Sequence, residues 1–223
     1  MSRKLFIETV LKFTLGIVLV GALIFLPAGT VKFSGGWRFM AVLFVPMFFE
    51  GIILMVKNPS LLAKRLDAKE KMKEQGIIVK LSGLMFVAGF VMAGIDFRFK
   101  LLVLPQFIPI VASAVFLIGY ALYVVVLCQN TYLGRKIEVQ ENQKVIDSGL
   151  YSVVRHPMYT ATILLFLAIP LVLGSLLSFV IFLFYPLLIV MRIKSEERFL
   201  ERELKGYTEY EKKVKYRLVP FIW

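Results

Sequence analysis

The sequence predicts an all-α integral membrane protein with five to six transmembrane segments, ending in a helical hairpin and a charged helical tail. Three observations carry this reading. Of the 223 residues, 59% are hydrophobic and only 19% charged, where a soluble domain has about 45–50% and about 25%. Uncharged runs at residues 13–31, 101–128 and 159–191 are each long enough to cross a hydrocarbon core of about 30 Å. The 27 Lys and Arg, which set a formal net charge of +12, fall between the apolar runs instead of along one groove. That distribution suits the ends of membrane spans and argues against nucleic-acid binding.

The elements follow in chain order. A basic N-terminus precedes an apolar run that is too long for a signal peptide and lacks a clear A-x-A site, so residues 11–31 are expected as an uncleaved first span. A second span covers 37–56 and contains Glu50. Asn58-Pro59 then opens a segment at 57–76 where Leu61, Leu62 and Leu66 stand among charges, the pattern of a short amphipathic interfacial helix. A third span at 77–95, interrupted by Lys80, leads through a turn at 96–100 to a fourth at 101–128. Cys128 is the single cysteine and His156 the single histidine, which excludes an intramolecular disulfide and any cysteine- or histidine-rich metal site. Neither low-complexity linkers nor internal repeats interrupt the chain.

The run 159–191 is too long for one crossing, at roughly 50 Å as a continuous helix, and Pro170 and Gly174-Ser175 lie near its centre, where a helix would break. Charge decides between one crossing and two. With a cytoplasmic N-terminus and a hairpin at 159–191, only Lys32, Arg38, Arg98 and Lys100 lie outside. A single crossing would carry the basic tail 192–223 outward, against the positive-inside rule. Six segments are expected, the last two a re-entrant or closely packed hairpin, with both termini cytoplasmic.

Such a hairpin brings two polar clusters together: 140–159, and 192–197 with the sequence R-I-K-S-E-E. Arg192 and Glu196, four apart, share a helix face. Ser148-Gly149-Leu150-Tyr151 followed by Arg155-His156-Pro157-Met158-Tyr159, the apolar hairpin, Arg192 with Glu196-Glu197, and the tail from Gly206-Tyr207 to Tyr216-Arg217-Leu218-Val219-Pro220 together resemble the isoprenylcysteine carboxyl methyltransferase family. The resemblance spans about 128–223, and Asn58-Pro59-Ser60-Leu61-Leu62 is similar to a loop of prokaryotic relatives. It divides one integrated membrane domain into an acceptor region at 1–128 and a methyltransferase region at 129–223.

The resemblance implies S-adenosylmethionine as methyl donor and S-adenosylhomocysteine as product. It implies a cofactor pocket lined by Gln140, Gln143, Lys144, Val145, Ile146, Tyr151, His156, Pro157, Met158, Tyr159 and Glu196, with Arg192 facing the acceptor as the catalytic residue. Gln143-Lys144 stands where the family more often has His-Thr. Glu50, a carboxylate inside a span, either lines the acceptor path as a substrate-binding residue or meets a wet interface. No metal is implied. The expected partners are the lipid bilayer and a lipophilic or prenylated acceptor.

The residue types suit the chemistry on their own terms. Methyl transfer from a sulfonium is an in-line displacement, and a carboxylate acceptor is already ionised at neutral pH, so positioning and charge complementarity suffice. Arg192 is suited to hold a carboxylate bidentately, Glu196 to bind an ammonium or ribose hydroxyls, and His156 to donate to the donor's carboxylate. Two rival activities use the same architecture: an amine or phospholipid N-methyltransferase, and an NADPH-dependent membrane reductase of the sterol-reductase type. A channel or transporter lacks support, since repeats and multiple intramembrane charges are missing. Charge density places Glu197–Glu203 on a solvated helix face, and Tyr207, Tyr210 and Tyr216 suit an interfacial aromatic belt.

Overall fold

The computed structural model describes residues 2–67, 72–134 and 136–223, and among these every regular element is helical. In chain order they are α1 (Arg3–Ala28), α2 (Ser34–Lys57), α3 (Pro59–Leu66), α4 (Lys73–Phe99), α5 (Phe107–Gln129), α6 (Pro157–Leu173), α7 (Leu176–Phe182), α8 (Tyr185–Glu203) and α9 (Tyr207–Lys213), with a 3-10 turn at Gly149–Ser152. Five helical stretches are long and apolar enough to span a membrane: α1, α2, α4, α5 and the α7–α8 stretch Leu176–Glu203. The 17-residue α6 is shorter. α5 lies along α6, and α1 along α4.

Apolar side chains cover the outside as well as the inside. Leu15, Val18 and Leu26 on α1 and Ile110 and Ile118 on α5 are exposed, as expected of helices whose solvent is lipid. Inside, the bundle is held by interlocked rings. Phe39 of α2 packs on Phe90 of α4 and Phe116 of α5, and Phe182 of α7 packs on Phe86 and Phe90. Phe39, Phe116 and Phe182 are fully buried. With no water to expel from between helices, such close packing is what drives their association.

The run 159–191 is a hairpin. Gly174 caps α6 in the left-handed conformation (φ +84°), which a glycine adopts without steric cost, and Ser175 caps α7 by accepting from the Ser178 amide at 3.1 Å. Of the two break points the sequence offers, the chain uses the second. Pro170 stays within α6, near its end. The return arm brings Glu197 of α8 to 3.1 Å from His156, the N-cap of α6.

The end of the bundle at this turn is closed by a buried carboxylate. The expected turn at 96–100 is instead helical as far as Phe99, and Asp96 lies 3% exposed. It accepts from the Ser175 hydroxyl at 2.6 Å and from the Leu102 amide at 2.9 Å. Arg38 donates to the Val172 carbonyl at the same end. At the opposite end lie α3, the loop after α5 and the tail: Lys12 of α1 donates to the Leu66 carbonyl and Lys64 to Gln140. The start of α1 and the C-terminal tail therefore share one end of the bundle.

The polar segment at 57–76 contains the short helix α3, with Asn58 as its N-cap and Leu61 and Leu62 buried. Its residues 73–76 begin α4, and 68–71 lie outside the described residues. Replacing Asp96 with Ala strands the Ser175 hydroxyl and the Leu102 amide. The loss should be about 1–3 kcal/mol, read as a lower unfolding midpoint of the detergent-solubilised protein, whereas Arg38→Ala should cost less because its contact is a single carbonyl.

Candidate active site

The R-H-P turn, the end of α8 and the tail converge on one buried carboxylate, Glu197, which is 3% exposed. Arg155 reaches its Oε1 with Nε at 2.8 Å and Nη2 at 2.7 Å, His156 Nε2 lies 3.1 Å from the same oxygen, and Arg217 Nε donates to Oε2 at 2.6 Å. The backbone repeats the pairing, with the Arg155 and His156 amides donating to the carbonyls of Tyr216 and Arg217 at 2.9 Å. Arg155 also donates to the Val214 carbonyl. Glu197 thus buckles the tail onto the turn, and its place on a solvated face is corrected: it continues the buried stripe Ile189–Ile193 of α8 at the same four-residue step.

Beside this hub lies a cavity of about 490 Å³ whose lining sorts by chemistry into two parts. One is an apolar arm between α4, α6 and α8, walled by Ile78, Val79, Gly83, Phe86, Phe166, Tyr185 and Ile189. It reaches the bundle surface at Val79 and Gly83, both on the exposed face of α4. The other compartment is polar, walled by Asn130, the strip Gln143-Lys144-Val145-Ile146, Tyr151, His156, Met158, Glu196 and the first turn of α9. At the junction Arg192 Nε donates to the Tyr159 hydroxyl at 2.9 Å, and Tyr159 in turn donates to Glu196.

The loop walls of the polar compartment are fixed by their own hydrogen bonds. Gln140 Nε2 donates to the Tyr132 carbonyl at 2.7 Å and its backbone amide to Gln143 Oε1 at 2.9 Å. Gly149 turns the chain at φ +60°, and a Cβ there would sit 2.7 Å from the Gln129 amide, whose oxygen accepts from the Leu150 amide. Asn130 donates to the Tyr151 hydroxyl at 3.1 Å. Burial raises the Tyr151 phenol well above its ordinary pKa, leaving it a neutral donor.

Of the residues expected at the site, Gln143, Lys144, Val145, Ile146, Tyr151, His156, Met158, Tyr159, Arg192 and Glu196 all face this one cavity. Gln140 stands behind the wall as a brace, and Pro157 serves as the first residue of α6. Glu50 lies off the cavity and accepts from the Tyr120 hydroxyl. The neighbouring Tyr123 accepts from Arg65, which does face the cavity. Tyr207 and Tyr210 are 4% and 5% exposed, which removes them from an interfacial belt. Both line the polar compartment.

With this geometry, similarity to known proteins acquires a physical meaning. Residues 107–206 match the phospholipid methyltransferase family. That stretch comprises α5, the loop walls, the R-H-P turn and α6–α8, and the match supports a membrane methyltransferase. A Delta(14)-sterol reductase of Mus musculus is 30% identical over 90 residues, covering 39% of this chain and 22% of that protein. The chain therefore spans about a fifth of the length of the curated relative it matches.

The residues present fit S-adenosylmethionine. A carboxylate at the junction suits the ammonium of its amino-acid end, the apolar part of the loop and tail wall suits a purine, and the Tyr207 hydroxyl, buried without a hydrogen-bond partner among the described residues, leaves a polar contact for a ligand to make. Removing the buckle tests the division between support and chemistry. Glu197→Ala takes from the buried Arg155 its nearer carboxylate, leaving Glu211 at 3.4 Å, and should cost about 3–5 kcal/mol, appearing as lost folded protein in size-exclusion chromatography, whereas Glu196→Ala should purify normally.

Proposed function

We propose that this protein transfers a methyl group from S-adenosylmethionine to a carboxylate on a lipophilic, isoprenylcysteine-like acceptor. The observation that carries the reading is the junction Arg192–Tyr159–Glu196, where an apolar arm open at the face of α4 meets a polar compartment. The bound cofactor supplies an electrophilic methyl on a sulfonium. The chain's own groups then have distinct tasks. Glu196, oriented by the Tyr159 hydroxyl, holds the cofactor's ammonium. The bond from Arg192 to Tyr159 fixes the guanidinium plane, and the guanidinium's charge addresses the acceptor carboxylate. The ionised acceptor needs no base, and the apolar arm keeps water from competing at the reacting centre.

The lipid bilayer provides the solvent for the acceptor's tail, and the cell's inner membrane is the proposed location if the source is prokaryotic. Both termini are assigned to the cytoplasm because the end bearing α3 and the tail holds most Lys and Arg, whereas Lys32, Arg38, Arg98 and Lys100 occupy the other.

A second reading has a specific basis in the phospholipid methyltransferase match: an amine acceptor. The two differ in what Arg192 does, since a guanidinium repels a protonated amine and binds a carboxylate. Calorimetry with S-adenosylhomocysteine on the solubilised protein should give Glu196→Ala at least tenfold weaker binding and Arg192→Ala near wild-type binding. Transfer from labelled S-adenosylmethionine to a farnesylated cysteine should fall about 10²-fold in Arg192→Ala. Transfer to phosphatidylethanolamine that survives Arg192→Ala would favour the amine reading. Folded protein that binds NADPH but no S-adenosylhomocysteine would sink both.

Gly83 tests the arm. A Cβ there meets nothing within 4 Å, so a side chain can start at this position without a clash, and Gly83→Trp adds bulk at the mouth of the arm. It should keep S-adenosylhomocysteine affinity within about twofold and lower transfer to a farnesylated cysteine at least tenfold, an order-of-magnitude expectation for excluding a buried apolar chain.

A further inference from the structure

We infer that the tail helix α9 completes the cofactor site, with the Tyr207 hydroxyl donating a hydrogen bond to the adenine of the bound cofactor. The inference rests on the methyltransferase reading above and assigns a residue that lies just beyond the matched stretch 107–206.

Tyr207 is 4% exposed and lines the cavity, and its hydroxyl, closed off from solvent, has no hydrogen-bond partner among the described residues. Buried hydroxyls are almost always bonded, so an orphan on a cavity wall marks a contact completed by something that enters. Its neighbour shows what a merely structural tyrosine does here. The Tyr210 hydroxyl donates to the Tyr151 carbonyl at 2.7 Å and pins α9 to the turn before α6. Lys213, paired with Asp147 at 2.7 Å, and the Arg155 bond to the Val214 carbonyl hold the same helix down. α9 is thus fixed independently of Tyr207, whose hydroxyl is spare.

The surroundings select the half of the cofactor that it meets. Tyr207 packs with Leu204, Tyr210 and Val214 against Val145 and Leu200, an apolar slot that suits the flat faces of a purine. A purine is flat and apolar on its faces, and it carries ring nitrogens that accept hydrogen bonds. Burial first, and then the Glu197 and Glu196 carboxylates, raise the Tyr207 phenol far above its ordinary pKa, so it stays protonated as a donor.

The test compares wild type, Tyr207→Phe and Tyr210→Phe as full-length solubilised protein, with melting curves in the absence of ligand and calorimetry with two probes. S-adenosylhomocysteine has both ends of the cofactor, and 5′-methylthioadenosine has the nucleoside without the amino acid. Tyr207→Phe should melt at the same or a higher temperature than wild type, because it removes an unsatisfied buried hydroxyl. It should bind both probes about five- to tenfold more weakly, the scale of one lost neutral hydrogen bond. Tyr210→Phe should melt lower. Unchanged affinity of Tyr207→Phe for both probes, or a lower melting temperature, overturns the inference by making the hydroxyl inert or structural. A loss confined to S-adenosylhomocysteine also overturns it, by placing the contact at the amino-acid end. Folded wild type that binds neither probe refutes the methyltransferase reading itself and removes the inference with it.

Discussion

The Glu197 carboxylate and the Arg155, His156 and Arg217 side chains around it set the geometry on which everything else at this end of the molecule depends. Arg155 and His156 come from the turn before α6, Arg217 from the tail, and Glu197 from the return arm of the hairpin. Three stretches distant in sequence are fixed relative to each other by one side chain. A carboxylate and guanidinium taken out of water lose much of their hydration, and the pair is tolerable because nearly every polar atom has a partner. The arrangement contributes register more than net stability. It decides that Glu196, one residue earlier and rotated by about 100° around the helix, points into the cavity rather than at the tail.

That rotation explains why two adjacent glutamates have different fates and why the sequence discloses only one. Arg192 and Glu196 share a face at a spacing of four, and their place at the cavity follows directly. Glu197 was hidden by its own charge: in a segment as polar as 194–203, composition suggests solvent. The spacing of Ile189, Ile193 and Glu197 carries the opposite message, and burial followed the spacing. Tyr207 and Tyr210 were hidden similarly, because a basic, tyrosine-bearing tail after a span has the composition of an interfacial belt. Its burial depends on backbone pairing between residues 155–156 and 216–217, which leaves no periodic trace in the chain.

The membrane architecture was legible because it depends on length and charge alone. Long uncharged runs must be helices, since lipid admits only helices and closed barrels and barrel strands are short and alternate apolar with polar residues, and the distribution of Lys and Arg required an even number of crossings. The hairpin at 159–191 followed from that parity, but its tip did not. Whether the helix broke at Pro170 or Gly174 depended on which carbonyls could find donors. At Gly174-Ser175 the amides of Gly174 and Ser175 reach back to Leu171 and Pro170, and Asp96 receives the Ser175 hydroxyl. Asp96 itself was read as part of a turn, because an acidic residue at the end of an apolar run suggests water and nothing local reveals its partners.

The cavity's walls divide along the same boundary as the similarity to other proteins, and this has a consequence for what can vary. The junction, most of the polar compartment and one side of the arm come from α6, α8 and the loop before α6, all within residues 107–206. The other side of the arm comes from α4, through Ile78, Val79, Gly83 and Phe86, and Arg65 of α3 stands at the wall beside them. In the proposed function, the matched stretch holds the cofactor's charged end and the reacting groups, whereas α3 and α4 decide which lipophilic chain fits. Substitutions on α4 alter one wall of the arm without touching the Arg192–Tyr159–Glu196 junction. A scaffold divided in this way can keep its transfer chemistry while its acceptor changes, so similarity confined to 107–206 constrains the reaction far more tightly than it constrains the substrate.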